Sequence, residues 1–189
     1  MDLFEAITSR RAVRQYKSDP VTRELVMQVL EAGNWAPSGR NLQQWEFVLV
    51  SGDKKDQMGQ SYGKIAEAYT AGWDDAARDA FLNYARTLGG APLILVIITD
   101  ASDIDAIRKM NIESASAALQ NIMLAARALG LGTCWMTGPL QDEKNLRQVL
   151  DIPASKEIVA VTPLGYPVEF PPAPPRIDAD LSTKVRWVE

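Results

Sequence analysis

An unbroken apolar run, Ala91-Pro92-Leu93-Ile94-Leu95-Val96-Ile97-Ile98, constrains the fold more than any other segment. It is far short of the roughly 18 residues that a membrane span needs. It therefore reads as a buried strand, bounded by Gly89-Gly90 before it and by Asp100 after it. A chain of 189 residues, 47% of them hydrophobic, can close one full core around such a strand. We expect one domain, 1–189, with no internal repeat or linker.

Around this strand the pattern alternates between helices and strands. Leu3, Phe4 and Ile7 follow helical spacing behind an Asp2 N-cap, and the arginines after them end this helix. Thr22 caps a second helix with Val26, Val29 and Leu30 on one face and Gly33 as its expected stop. Trp45 to Val50 reads as a strand. Residues 54–88 are helical in composition, with a break near Gly72. Asn111 to Leu129 is the clearest helix, ended by Gly130. Residues 133–136 form a short strand, Asn145 to Leu150 a short helix and Ile158 to Thr162 a further strand. Six prolines fall between Pro163 and Pro175, so that stretch is expected to be an extended arm rather than helix or central strand. Leu181 to Val188 could return to strand. About four strands mixed with helices give α+β or a three-layer α/β arrangement.

Composition narrows the chemistry. The chain has no His and one Cys. That removes an intramolecular disulfide, Ser-His-Asp and Cys-His catalysis, and almost any zinc site. A net charge of -4 argues against general nucleic-acid binding. Met1 to Glu5 lacks the features of a signal peptide. A single thiol agrees with a reducing cytoplasm.

Against that acidic background stands Ser9-Arg10-Arg11-Ala12-Val13-Arg14. Arg10 and Arg14 share a side whether the segment is helix or strand, while Arg11 points elsewhere in both. Crowded guanidinium forks suit a phosphate. The alternative is a solvated basic face with carboxylate partners. Ala36-Pro37-Ser38-Gly39-Arg40-Asn41-Leu42-Gln43 offers backbone N–H groups and amides to a planar heterocycle, or is an ordinary turn. Gly130-Leu131-Gly132 follows a helix instead of opening one, which excludes the dinucleotide-binding reading. Cys134 sits among apolar residues and reads as a buried structural thiol. Asp100, Asp103 and Asp105 lack calcium-loop spacing and read as a polar loop. Arg176 ends Pro171-Pro172-Ala173-Pro174-Pro175, a stiff arm that could deliver one cation.

Taken jointly and in order, these segments resemble the nitroreductase family of FMN-dependent oxidoreductases, over nearly the whole chain. The resemblance rests on Ser9 to Arg14, on Trp35 to Trp45, on Ala115 to Leu129 with Gly130-Leu-Gly-Thr-Cys-Trp-Met-Thr-Gly138, and on Pro163-Leu-Gly-Tyr-Pro167 with Arg176. It departs where Ala12 replaces a common Ser and Gln44 a common Pro. It implies an α+β, three-layer nitroreductase-like fold with a central, mainly antiparallel sheet flanked by helices. It further implies a homodimer with an exchanged C-terminal arm and two FMN sites at the subunit interface. By position, Arg10, Arg14 and Arg176 would hold the FMN phosphate and ribityl end, and Arg11 would approach through its backbone. Pro37, Ser38 and Asn41 would come from the other subunit, with Gln43 near them. Thr137 and Gly138 would lie by the central ring, and Asn83 and Arg86 at its pyrimidine edge. The implied activity passes a hydride from NADH or NADPH through FMN to a small-molecule acceptor, a nitroaromatic or quinone. Such an enzyme would be cytoplasmic, with neither membrane nor nucleic acid as partner. The alternatives are specialised flavin chemistry on the same fold, such as dehalogenation or flavin breakdown, a non-catalytic flavin-binding protein, and a dimeric interaction protein with a plain basic patch.

Overall fold

The computed structural model describes all 189 residues. The apolar run forms β2 (Leu93–Asp100) in the interior of a four-stranded sheet. It pairs antiparallel with β1 (Glu46–Val50) on one side and β4 (Lys156–Gly165) on the other, and β3 (Gly132–Thr133) closes the far edge. Strand alternation then splits its side chains between two cores. Ile94, Val96 and Ile98 join a cluster with residues of α3 (Gly52–Tyr69), α4 (Asp75–Thr87) and α6 (Glu143–Leu150). Leu95 and Ile97 join the other, with residues of α2 (Arg23–Asn34) and α5 (Asp105–Ala128). A strand buried on both faces needs a layer on each, and this gives three layers: helices, sheet, helices.

Helix starts follow the expected caps. The Asp2 carboxylate accepts from the Glu5 N–H at 2.8 Å, opening α1 (Leu3–Ser9), and the Thr22 hydroxyl accepts from the Leu25 N–H at 3.3 Å. The break near Gly72 falls in the turn between α3 and α4. No helix is long and apolar enough to cross a membrane.

Five expectations need correction. The strand expected over residues 133–136 is confined to Gly132–Thr133, with only an isolated bridge at Met136. Gly33 is not the stop of α2 but lies inside it, where a Cβ would stand 2.6 Å from Ile122 Cγ1. Its role is to let α2 approach α5. The long helix begins at Asp105, ahead of the expected Asn111. Pro163 lies within β4, opposite Ile94, although proline is normally excluded from interior strands. Val161 exchanges both backbone bonds with Met136, so alternation points position 163 to the same edge. There Cys134 and Trp135 have left the ladder, so the missing N–H of Pro163 breaks no strand pairing. Leu181 to Val188 does not return to strand. It begins with a turn whose Ser182 and Thr183 N–H groups are held at 3.0 Å by the Asp178 carboxylate.

Ile97 is fully buried, whereas Leu49 on β1 is 42% exposed. Ile97→Ala should cost about 2–5 kcal/mol, lowering Tm by about 2–4 °C for each kcal/mol. Leu49→Ala should cost less than about 1 kcal/mol. Equal losses in thermal denaturation would contradict the two-sided burial of β2.

Candidate active site

The arginine segment leaves α1 as extended chain, with the Arg10 N–H bonded to the Ala6 carbonyl at 3.0 Å. It then runs beside β3: Ala12 forms a parallel bridge with Thr133, and the Val13 N–H donates to the Thr133 carbonyl at 2.9 Å. Further on, the Tyr16 N–H donates to the Gly89 carbonyl at 3.0 Å. The Lys17 N–H donates to the Tyr166 carbonyl at 2.8 Å, and the Val168 N–H to the Gln15 carbonyl at 3.0 Å. Gly89 has φ +74° and would bring a Cβ within 2.6 Å of the Arg14 carbonyl, so only glycine suits this crossing. Backbone pairing at both ends thus holds Arg10 to Arg14 in one extended conformation.

Arg10, Arg14 and Arg176 meet in a groove of about 760 Å³, whose opposite wall is Pro171 to Pro174. Arg11 lines it too, against the expectation that it would point elsewhere. Its Nη1 donates to the carbonyls of Thr8 (2.8 Å) and Arg10 (2.6 Å), while its Nε is buried without a partner. None of the four takes part in an ion pair; all the ion pairs of the molecule lie elsewhere. The carboxylate-neutralised basic face is therefore absent. Unpaired, crowded cations leave room for an anion.

Arg14 also lines an adjoining groove of about 580 Å³ that contains Asn83, Tyr16 and Tyr84. Trp73 and Phe81 of that groove line a third one, of about 300 Å³, with Thr137 and Gly138. The three share walls in sequence, from a groove lined by four guanidinium groups to an uncharged pocket lined by Tyr62, Tyr69, Trp73 and Phe81. Trp73 meets Tyr69 at 5.6 Å and Phe81 at 5.3 Å between ring centroids.

The 36–43 loop lies off this path. Asn41 and Gln43 line a separate pocket of about 400 Å³ with Trp35. Its shape is fixed from within: the Gln43 N–H donates to Ser38 Oγ at 3.0 Å and Gln43 Nε2 to Asn41 Oδ1 at 2.9 Å. The Gly39 N–H donates to Ser114 Oγ at 3.2 Å, and Pro37 precedes this brace. Arg40, Asn41 and Gln43 all hold positive φ, conformations that persist only where their surroundings impose them. Gln44, at the position where Pro is common, donates to Asn111 Oδ1 at 2.7 Å and ties the loop to α5. Arg86 stands apart, its Nη2 2.7 Å from Glu67 Oε1, and lines none of these grooves. Sequence reading missed Tyr16, Tyr84, Trp73 and Phe81. The available signal was the aromatic spacing of Phe81 and Tyr84, three apart on one helix, just before Gly89-Gly90.

Burial pushes the Tyr84 hydroxyl far above the usual phenol range, with Cys134 adding to it. Burial likewise raises Tyr16 and the Cys134 thiol, the latter opposed by Arg14.

A family model, the nitroreductase family, matches residues 7–166. The chain is 32% identical to a protein of Methanothermobacter thermautotrophicus provisionally named NADH dehydrogenase/NAD(P)H nitroreductase, over 190 residues covering 99% of this chain and 88% of that protein. It is 31% identical to the 5,6-dimethylbenzimidazole synthase of Rhodospirillum rubrum over 177 residues, 87% of this chain and 82% of that one. Among solved structures, a provisionally named nitroreductase from Desulfovibrio desulfuricans in complex with FMN aligns with a TM-score of 0.74 at 26% identity, covering 100% of this chain and 99% of the other. The chain belongs to the nitroreductase family, and the expected three-layer α+β fold is the one observed.

The raised groups set a pH dependence. Above the ordinary thiol value of about 8.5 the unfolded chain releases protons that the folded one keeps. Stability should therefore be full at neutral pH and fall as pH rises from about 8.5 through 10. Cys134→Ala should flatten the first part of that fall in urea-unfolding series at successive pH values. A stability that rises over this range would contradict the burial of these groups.

Proposed function

We propose that this chain is an FMN-dependent oxidoreductase that draws on NADH or NADPH and reduces nitroaromatic or quinone acceptors. The observation that carries the reading is the set of four arginines without carboxylate partners around one groove, together with an uncharged aromatic pocket that shares Trp73 and Phe81 with the groove beside Arg14. The donor set fits the cofactor. A phosphate dianion offers the acceptors that Arg10, Arg14 and Arg176 need, and an added acceptor nearby would satisfy the orphaned Arg11 Nε. Bound FMN would supply the redox chemistry, taking up a hydride from the nicotinamide and passing reducing equivalents to the acceptor.

The residues would act as follows. Arg10, Arg14 and Arg176 bind the phosphate and the ribityl end. Asn83 presents its amide to the polar edge of the ring, and Thr137 and Gly138 border the ring's centre. Arg86 would have to leave Glu67 to reach the pyrimidine edge. Both partners of that pair are about half exposed, 53% and 49%, so it holds Arg86 by no more than about 1 kcal/mol. Pro37, Ser38, Asn41 and Gln43 reach the flavin from a second copy in a homodimer. Exposed Phe4, Trp35 and Trp187 suit burial between copies, with the C-terminal arm exchanged beyond Arg176. Tyr62, Tyr69, Trp73 and Phe81 exclude water from the acceptor's place. A cytoplasmic setting supplies the nicotinamide donor and suits the single buried thiol.

Purified protein, or protein incubated with FMN, should show a flavin spectrum, bleach with NAD(P)H and recolour with a quinone. Absence of flavin binding would sink the reading, and binding without bleaching would favour a non-catalytic carrier. Arg10→Ala or Arg176→Ala should each weaken FMN binding by about 1.5–3 kcal/mol, read by fluorescence titration. The second reading, a specialised flavin chemistry, is favoured by the 31% identity to a 5,6-dimethylbenzimidazole synthase. Slow turnover with both nitroaromatics and quinones would select it.

A further inference from the structure

The phosphate groove has two walls from opposite ends of the chain, Thr8 to Arg14 and Pro171 to Arg176. One side chain touches the root of both. Arg127, in the last turn of α5, donates from Nε to Ser9 Oγ at 3.0 Å, one residue before Arg10. Its guanidinium carbon lies 3.9 Å above the centroid of the Phe170 ring, one residue before Pro171. Arg127 is half-buried and has no carboxylate partner, so its charge is committed to these contacts and to the carboxyl end of α5.

The second wall depends on this contact more than the first. The first is paired by backbone to β3 and to Gly89. Beyond the Val168–Gln15 bond, no backbone hydrogen bond ties residues 169–180 to the body of the protein. Pro171, Pro172, Pro174 and Pro175 have no N–H to donate. Phe170, packed against the main core with Arg127 over its ring, is the last anchor before Arg176. The prolines stiffen the chain between these two residues, so a displacement at Phe170 is carried to Arg176 instead of being absorbed along the way.

We propose that Arg127 is a positioning residue for the anion site: it clamps the C-terminal arm through Phe170 and sets Arg176 across the groove from Arg10 and Arg14. The inference rests on the phosphate reading of that groove. Arg127 itself does not line the groove and acts only through Ser9 and Phe170.

Two readouts on the full chain test this. The first is the rate of tryptic cleavage at Arg176–Ile177, followed by mass spectrometry of the released peptides that begin at Ile177. Arg127→Ala should raise it about tenfold. Arg127→Lys keeps the charge but loses the planar face, and should raise it similarly. The second is FMN affinity by fluorescence titration. Arg127→Ala should weaken it about tenfold in the wild-type background but by less than about threefold when Arg176→Ala is already present, since a misplaced arm with no cation has little left to lose. Unchanged cleavage, full rescue by lysine, or equal FMN penalties in both backgrounds would overturn the proposal. If Arg127→Ala does not fold, Phe170→Leu, which removes the ring but keeps the apolar anchor, should give the same cleavage increase. If no form binds FMN, the flavin reading fails, while cleavage still decides whether Arg127 holds the arm.

Discussion

Burial of β2 on both faces is the constraint on which the rest of the molecule depends. Residues 94–98 are at most 3% exposed. Each such side chain contributes about 1.5–3 kcal/mol, so the five together rival the whole net stability of a typical domain. A strand this apolar leaves no place for polar chemistry along its length. The proposed site lies where the layers end. It forms at the far edge, where β3 is only two residues long and the arginine segment runs beside it.

That edge gathers features that cost stability. Guanidinium groups crowd without carboxylates, Arg11 Nε is buried and unpaired, and Tyr16, Tyr84 and Cys134 are desolvated beside Arg14. Away from that edge, the 36–43 loop holds three non-glycine residues at positive φ. Strain and unmet hydrogen-bonding capacity concentrate where a ligand can relieve them. The core, by contrast, is locally consistent: cap, periodicity and burial agree in α2, and periodicity and burial agree in β2.

Much of this was legible in the chain because it is local. Asp2 and Thr22 announce helix starts through a hydrogen bond three residues long, and the convergence of Arg10 and Arg14 follows from strand alternation alone. Other features were misread because one residue type serves two purposes. Gly33 looks like a helix stop, yet its missing side chain serves the approach of α5. Pro163 looks like a strand breaker, yet β4 tolerates it because the neighbouring chain has departed at Cys134 and Trp135. Arg86 keeps a suggestive spacing from Asn83, but Glu67, nineteen residues away in sequence, captures it.

The sequence by itself determined the buried strand, most of the helices around it, the absence of histidine and disulfide chemistry, and an arginine pair that points one way. Each of these depends on residues a few positions apart, where periodicity and capping act. Only the tertiary structure decided that Arg11 joins the groove, that Trp73 and Phe81 line both the pocket of Arg14 and that of Gly138, and that Arg127 links Ser9 to Phe170 across the fold. Those contacts join residues distant in sequence, and their geometry exists only once the two cores have closed on β2.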